Sequence, residues 1–274
     1  MTALALPART DVHVGAVRGL AADLGAMTSR AVRLTVRDVD SMITAAVLPV
    51  VILLMFTYVF GGAMDVGTSY VTYATPGIIL LAAGFGAAST ALFVERDMSG
   101  GMIDRIRSMP VVPWTVLTGH VVASLAKNLL TTAVVFAVAW AIGFRPTAGL
   151  PEWLGAVGIL VLFLHAITWS AVLVGVLVRS PDAASGFTFF VMFLPYVSSA
   201  FVPVETMPTW LRGFAEHQPV TPVIESVRGL LVGGTPGAPT GDALTDAIVL
   251  AVVWCVGLSV VFMTASGFAF RRRR

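Results

Sequence analysis

The residues of this sequence that could do chemistry are few, and their spacing matches no common catalytic site. No G-x-x-x-x-G-K-[ST] loop is present, so the chain lacks the usual pattern for holding nucleotide phosphates. No H-E-x-x-H pair is present either, and the four histidines are scattered without metal-ligand spacing. No serine lies in a G-x-S-x-G turn. We therefore predict no catalytic or metal site, and we expect any energy to come from a partner or a gradient.

Two ionisable side chains lie inside long apolar runs. A lysine within a membrane helix is by default a functional candidate, and Lys127 is such a residue. It is only about two helical turns from His120, so its stem could instead extend to the interface. His165 has no acid near it in sequence, which favours a packed, neutral, hydrogen-bonded histidine over a proton relay. The sequence leaves open whether either residue is functional or structural.

The densest group of charges is residues 94–114, VERDMSGGMIDRIRSMPVVPW, where three arginines and three acids separate two apolar runs. Ser99 or Gly100 can cap a helix here, and Pro110 ends it. Apolar positions recur at spacings of three and four: Met102, Ile103, Ile106 and Met109. Charged positions fall on its other faces: Asp104, Arg105 and Arg107. We interpret this stretch as a short cytoplasmic helix on the membrane surface that receives force from a partner. An ordinary positive loop that fixes topology is the alternative.

Membrane helices must position this stretch, because the composition excludes a soluble domain. Of the 274 residues, 57% are hydrophobic and 12% are charged, and the mean hydropathy is +0.89. Soluble proteins carry about 25% charged residues. We predict an all-α integral membrane protein with six transmembrane helices in one domain, residues 41–270. The predicted spans, each suited to a hydrocarbon core of roughly 30 Å, are residues 41–62, 70–94, 116–142, 153–178, 183–202 and 244–270.

Residues 1–40 are predicted to form a cytoplasmic N-terminus with an amphipathic helix at the membrane interface. Its apolar stripe consists of Val17, Leu20, Leu24, Met27, Ala31 and Leu34. Its arginines lie off that stripe and are expected among lipid headgroups: Arg18, Arg30, Arg33 and Arg37. A soluble helix docked on a partner is the alternative. At the other end, residues 271–274 are predicted to be a cytoplasmic basic tail.

Between the last two predicted spans, residues 203–234 fit neither a full span nor a simple loop. We predict two short helices, at residues 209–217 and 222–232, that dip into the membrane from the outer face like re-entrant segments. Thr221 followed by Pro222 is a helix start signal. Gly233 and Gly234 are expected to end the second helix.

The distribution of basic residues predicts the orientation. Three of them fall on one side: Arg145, Arg212 and Arg228. Thirteen fall on the other: Arg9, Arg18, Arg30, Arg33, Arg37, Arg96, Arg105, Arg107, Arg179 and Arg271 to Arg274. The side with thirteen is predicted to be cytoplasmic, and an even number of spans places both termini there.

Two stretches resemble a known family. VERDMSGGMIDRIRSMPVVPWTVLTGHV resembles the Glu-Arg…Gly…Pro segment by which ABC-2 type transporter permeases dock on their ATPase. SSAFVPVETMPTWLRGFAEHQPVTPVIESVRGLL resembles the outer segment of the daunorubicin/doxorubicin-resistance membrane subunits and their relatives. The six-span order is similar throughout. One departure is Gly101-Met102, where the family usually has Gly-Thr.

The resemblance implies the permease part of an ATP-driven ABC exporter, and not an enzyme. Two such chains, as a homodimer or with a sister permease, would work with two copies of a separate ABC ATPase subunit. That ATPase would bind ATP and Mg, and this chain is expected to bind no cofactor and no nucleic acid. The substrate would be hydrophobic or amphiphilic, such as a drug, a polyketide-like metabolite or a complex lipid, as in drug efflux and antibiotic resistance. The expected location is the bacterial plasma (inner) membrane.

The resemblance also carries site residues onto this sequence. The ATPase-coupling residues would be Glu95, Arg96, Gly100, Gly101, Met102, Ile103, Asp104, Arg105, Ile106, Arg107 and Pro110. The outer gate would be shaped by Phe201, Pro203, Met207, Trp210, Phe214 and Pro219.

The substrate path is assigned partly because relatives use these spans and partly from the residues. In the first span Phe56 and Phe60 lie one turn apart, and in the fifth Phe189, Phe193 and Tyr196 project from one face. This face has apolar bulk and one hydroxyl but no charge. Packing against a neighbouring helix is the alternative.

Two other classes of protein stay open. A gradient-driven secondary transporter would be expected to carry acids or broken helices near the membrane midplane in matched repeats. We find no acid near the middle of any predicted span and no clear internal repeat. A non-transporting membrane assembly protein would need no substrate path.

Overall fold

The computed structural model describes residues 12–108 and 114–273, and this part of the chain is helical, without strands. In order, the helices are α1 Val12–Arg37, α2 Val39–Met55, α3 Tyr70–Ser99, α4 Met102–Arg107, α5 Thr115–Ala141, α6 Leu150–Leu177, α7 Pro181–Phe193, α8 Thr209–His217, α9 Val220–Val232 and α10 Gly241–Arg272. A π-helical turn at Phe56–Phe60 extends α2, and 3₁₀ turns lie at Leu194–Val197 and Val204–Thr206. The predicted all-α class is confirmed for the described residues.

Five helices are long and apolar enough to cross a membrane. They are Met42–Phe60, Tyr70–Ser99, Thr115–Ala141, Leu150–Leu177 and Gly241–Arg272. These correspond to the first, second, third, fourth and sixth predicted spans. The chain is therefore built as a multi-pass bundle.

The predicted fifth span, residues 183–202, is not one continuous helix. Helix α7 has 13 residues, or about 20 Å, which is shorter than a hydrocarbon core of roughly 30 Å. Pro195 has no backbone N–H to continue the α-helical pattern. The chain instead tightens into the 3₁₀ turn Leu194–Val197 and then bends, with the hydroxyl of Ser198 donating to the Pro195 carbonyl at 2.5 Å. The proline therefore ends the α-helix, so residues 183–202 are not one continuous helical span, and a membrane crossing by this segment stays a prediction.

Helix α3 is the centre of the bundle. Most of its residues are buried, and it packs against α2, α5, α6, α7 and α9. Small residues allow these neighbours to come close. A methyl group placed on Gly77 would lie 2.4 Å from the Ala200 side chain, and one on Gly175 of α6 would lie 2.6 Å from the Ala91 carbonyl oxygen. The glycines therefore let the neighbouring segments approach the α3 backbone closely, and this close approach sets their positions.

Helix α1 lies within the segment predicted to hold the N-terminal helix and packs against α5, while its place at the membrane interface stays a prediction. At their crossing, a methyl group on Gly119 would lie 2.9 Å from the Met27 backbone. Ala31 of the predicted stripe is buried, whereas Leu34 is exposed. Protein therefore covers part of the face that was expected to meet lipid.

The two short helices between α7 and α10 form as predicted, with one shifted boundary. Helix α8 has the predicted bounds, but α9 begins at Val220, two residues early. The Val220 N–H donates to the Gln218 side-chain oxygen at 3.1 Å, and the Thr221 hydroxyl donates to the Ala215 carbonyl. The predicted cap at Thr221 is thus wrong, since Gln218 accepts the first free N–H. Most of α9 is buried against α3, α6 and α10.

Candidate functional site

The predicted coupling residues lie where α3 ends and α4 begins. Helix α3 continues to Ser99, beyond the predicted end of the second span, so Glu95 and Arg96 belong to it. Gly101 has φ +71, in the left-handed region that glycine adopts at no steric cost, and this turn starts α4. Pro110, the predicted end of the helix, lies outside the described residues, as do the side chains of Asp104 and Arg107.

The apolar face of α4 is covered by protein, not by the membrane surface. Ile103 and Ile106 are 3% and 0% exposed and belong to a cluster with Val94 of α3, Val116 of α5 and Val176 of α6. The helix has only six residues, so these two side chains are most of what holds it. The prediction that α4 lies on the membrane surface is therefore corrected: helix ends bury the face that was assigned to lipid.

The coupling residues divide into an inner and an outer set. Glu95 is buried, and it accepts a hydrogen bond from the Ser99 hydroxyl at 2.7 Å. Arg96, Gly100 and Arg105 are exposed, and Gly101 and Met102 are half-buried. The exposed set can meet a soluble partner, whereas Glu95 positions the end of α3.

Asp97, which no sequence pattern singled out, connects three helices beside this region. The Arg30 guanidinium of α1 donates two hydrogen bonds to its carboxylate, at 2.8 and 2.9 Å. Nε2 of His120 in α5 lies 2.9 Å from the same carboxylate. The hydrogen bond from Arg30 to Asp97 raises the pKa of Arg30. Arg30 thus pairs within the protein, and its predicted place among lipid headgroups is wrong.

The two ionisable residues of the apolar helices are both packed. Lys127 is buried, and its Nζ donates to the Ser89 hydroxyl at 3.1 Å. His165 accepts a hydrogen bond from the Trp169 indole N–H at its Nε2, at 3.0 Å. Because an indole N–H can only donate, the other ring nitrogen, Nδ1, carries the proton and donates to Ser259 at 3.1 Å. This geometry agrees with the predicted neutral, hydrogen-bonded histidine.

Four of the five predicted path residues lie in one row of aromatic rings: Phe56, Phe60, Phe193 and Tyr196. Ring centroids are 5.2 Å apart between Phe60 and Phe56, and 4.4 Å apart between Phe56 and Phe201. Tyr196 continues the row at 5.0 Å from Phe201, and Phe193 follows at 6.4 Å. Phe201, assigned from the sequence to the outer gate, thus connects the two predicted path faces.

The ends of this aromatic row are open in the single chain. Phe193 is 64% exposed, and Phe189 and Phe60 are also exposed. Phe201 is only 5% exposed, and its carbonyl accepts a hydrogen bond from the Tyr70 hydroxyl at 2.9 Å. The middle of the row therefore packs, and its outer rings present an apolar surface.

The other predicted gate residues differ in exposure. Trp210 and Phe214 of α8 are exposed, whereas Pro203, Met207 and Pro219 are half-buried. The gate assignment therefore remains a prediction.

Arg228 is a second residue that the sequence did not reveal. It was counted as an outer charge, but it is 1% exposed within α9. Its guanidinium donates to the carbonyls of Tyr73 and Ser199, at 3.1 and 2.6 Å, and to the Glu225 carboxylate at 2.7 Å. The Tyr73 ring lies 3.9 Å from the guanidinium carbon. Arg228 therefore connects α9, α3 and the bend after α7.

No group of three or more His, Cys, Asp or Glu that could hold a metal ion is found within residues 12–108 and 114–273. The prediction of no metal site stays a prediction for the chain as a whole.

Comparison with known proteins places these features in context. A family model described as ABC-2 type transporter matches residues 22–232. A daunorubicin resistance ABC transporter permease protein of Streptomyces coeruleorubidus is 28% identical over 194 residues, 70% of this chain and 69% of that protein. A "probable doxorubicin resistance ABC transporter permease protein" of Mycobacterium tuberculosis is 27% identical over 268 residues, 97% of this chain and 94% of that protein. A doxorubicin resistance ABC transporter permease protein of the same species is 22% identical over 226 residues, 79% of this chain and 74% of that protein.

Proposed function

The chain belongs to the ABC-2 type transporter family, and from this premise we propose that it is the membrane-spanning permease subunit of an ATP-driven exporter. It is a multi-pass membrane protein. Members of this family are membrane subunits, so a separate ATPase, present in two copies, would bind ATP and Mg and hydrolyse the nucleotide. A second permease chain, identical or a sister, would complete the transporter in the bacterial plasma membrane.

One observation carries the proposal: α4 is a short helix held to the bundle from one side and open on the other. Ile103 and Ile106 are buried among the ends of α3, α5 and α6. Arg96 and Arg105 remain exposed beside them. A helix anchored in this way transmits a push from a soluble subunit to several membrane helices, because its buried side chains cannot move independently of a close-packed cluster.

The proposed substrate is a large hydrophobic or amphiphilic molecule. The aromatic row offers apolar surface and the Tyr196 hydroxyl, and no charged side chain takes part in it. The names of the relatives, which concern resistance to daunorubicin and doxorubicin, support a drug as the substrate. Because the outer rings are exposed in one chain, a second chain would be needed to enclose a route.

The test is charge reversal at α4 in membranes that contain this chain and a candidate ATPase from its genomic neighbourhood. Arg105→Glu should reduce co-purification of the ATPase, or uncouple ATP hydrolysis from export, while insertion and yield stay normal. Arg179→Glu is the matched control, since Arg179 is an exposed arginine in the α6–α7 turn. Normal docking and export by the Arg105 variant, or no co-purifying ATPase with the unmodified chain, would refute the proposal.

A further inference from the structure

A second apolar feature lies on the other side of α7 from the aromatic row. It is a cavity of about 530 Å³ enclosed by α6, α7, α10 and the junction of α8 and α9. Phe187, Phe190 and Val191 of α7 and Leu194 of the turn after it line the cavity, whereas Phe189 and Phe193 do not. Its volume lies within the range of about 300–1,000 Å³ that is usual for ligand sites. Helix α7 therefore separates two apolar surfaces.

The lining of this cavity excludes water and ions as its normal contents. No Asp, Glu, Lys or Arg is among the lining residues. The polar side chains that reach it are mostly committed within the protein: Ser170 donates to the Ile167 carbonyl at 2.7 Å, and Gln218 bonds Thr221 at 3.1 Å. A water needs two to four polar partners, and this wall does not supply them.

The cavity is lined by α6 and α10, two of the five candidate spans, and its mouth lies where lining side chains are exposed. Phe190 and Trp254 stand at this mouth and are both exposed. An uncharged apolar opening among membrane-spanning helices is complementary to hydrocarbon. Along α7 and the turn after it, the lining residues run from Phe187 to Pro195, a length of roughly 12 Å.

A polar side chain lines the cavity where α8 meets α9. It belongs to His217, the last residue of α8. Its Nδ1 lies 3.0 Å from the Gly213 carbonyl and must donate to it, so its Nε2 is the ring nitrogen available to a ligand. The cavity thus has a largely apolar wall and a hydrogen-bonding group at the junction of α8 and α9.

We propose that this groove between α6, α7 and α10 binds one acyl chain of a membrane phospholipid, whose head group lies near His217. The bound chain packs against the reverse side of the helix that carries Phe189 and Phe193. Lipid is then a structural component of the wall between the groove and the aromatic row. The groove contains none of the rings of the aromatic row, although Phe214 and Pro219, two of the predicted gate residues, also line it.

The test uses phosphatidylglycerol with a diazirine at the end of one acyl chain. The full chain is reconstituted in nanodiscs with this lipid, irradiated, and mapped by peptide mass spectrometry. We expect adducts on the groove residues Ile167, Ser170 and Leu258 well above those on Leu164, a fully buried α6 residue outside the groove. Equal labelling of Ser170 and Leu164 in the unmodified chain would overturn the proposal without any variant.

The second part of the labelling experiment uses variants whose larger side chains fill the groove. Ile167→Phe and Leu258→Phe add bulk inside it, and labelling of Ser170 should fall to background. Gly158→Leu in α6 and Gly257→Leu in α10 are the matched controls, because a methyl group at either glycine meets nothing within 4 Å. They should leave the labelling unchanged. Persistent labelling of Ser170 in both filled variants would contradict the proposal.

If a second copy of the chain, and not a lipid tail, covered the groove, a crosslinking experiment would detect it. In a Cys255→Ala background, Phe190→Cys places the only thiol at the mouth. If a phospholipid tail fills the groove, oxidation should leave this variant monomeric on a denaturing gel. Disulfide-linked dimers would show that a second copy of the chain covers the mouth, and the lipid site would be ruled out.

Discussion

Arg228 illustrates how one side chain can hold the outer part of the bundle together. It is a guanidinium in an apolar setting, yet its donors meet the carbonyls of Tyr73 and Ser199 and the carboxylate of Glu225. A buried charge is tolerable only when it is paired and hydrogen-bonded. Replacing it therefore costs more than the contacts themselves, because acceptors in three segments lose their partner.

We expect Arg228→Ala to lower the free energy of unfolding by about 3–5 kcal/mol, as is usual when one member of a buried charge pair is removed. The stability of Arg228→Lys should lie between those of the unmodified chain and Arg228→Ala, since an ammonium keeps the charge but cannot reproduce the planar fork of donors. Thermal unfolding of the detergent-solubilised chain measures the change. Arg212→Ala is the control: this exposed arginine pairs with Glu216 four residues away, and its loss should not shift the transition. Equal shifts for the two variants would show that burial does not matter at Arg228.

At the scale of the element, α4 is a very short helix whose position is fixed by its contacts with other helices. Six residues are too few for a helix to be stable alone. Its position is set by the Gly101 turn before it and by Ile103 and Ile106, which the ends of neighbouring helices bury. The orientation of the exposed Arg105 is therefore decided by residues that would never touch a partner.

The turn at Gly101 can be tested by backbone conformation alone. A methyl group there would meet nothing within 4 Å, so a substitution acts through the φ of +71. Gly101→Val should reposition α4 and reduce ATPase coupling with insertion intact. Gly101→Asn should be tolerated, because asparagine adopts this region far more readily. Coupling is read as ATP hydrolysis per molecule exported. Equal coupling in both variants would mean that this turn does not set the position of α4.

At the scale of the whole molecule, the sequence predicts what depends on local pattern. The five long spans follow from hydropathy, and α8 begins and ends at the predicted residues. The bonds of Arg228 and Asp97 could not be predicted, because they join groups 155 and 67 residues apart in the sequence. Pro195 was visible in the sequence, but only the packed structure shows that the chain bends after it.

Orientation is a property of the whole chain and can be tested with reporters. With thirteen basic residues on one side and three on the other, a reporter fused after Arg274 should be active only inside the cell. A reporter inserted at Gly237, in the exposed loop between α9 and α10, should be active only outside. Activity on the reverse side for either fusion would invert the orientation and place α4 away from the cytoplasm.

The aromatic row makes a prediction about the assembled transporter. Phe193 is exposed in one chain, so Phe193→Ala should alter substrate-stimulated ATP hydrolysis while basal hydrolysis and dimer yield stay constant. Phe201 is buried in the same row, and Phe201→Ala should instead lower stability by about 3–5 kcal/mol. If the Phe193 variant kept normal stimulation by amphiphiles that are demonstrably exported, this row would not belong to the route.

The shortness of α7 has a consequence for the bilayer around it. With 13 apolar-rich residues followed by a bend within the protein, this side of the bundle presents less hydrophobic length than its neighbours. Lipids adjust to such a mismatch by local thinning, at a cost of a fraction of a kcal/mol per ångström. Short-chain lipids should therefore gather beside α7. Membrane thickness then becomes a variable to which the protein responds, and lengthening the acyl chains of a reconstituted bilayer should slow its turnover.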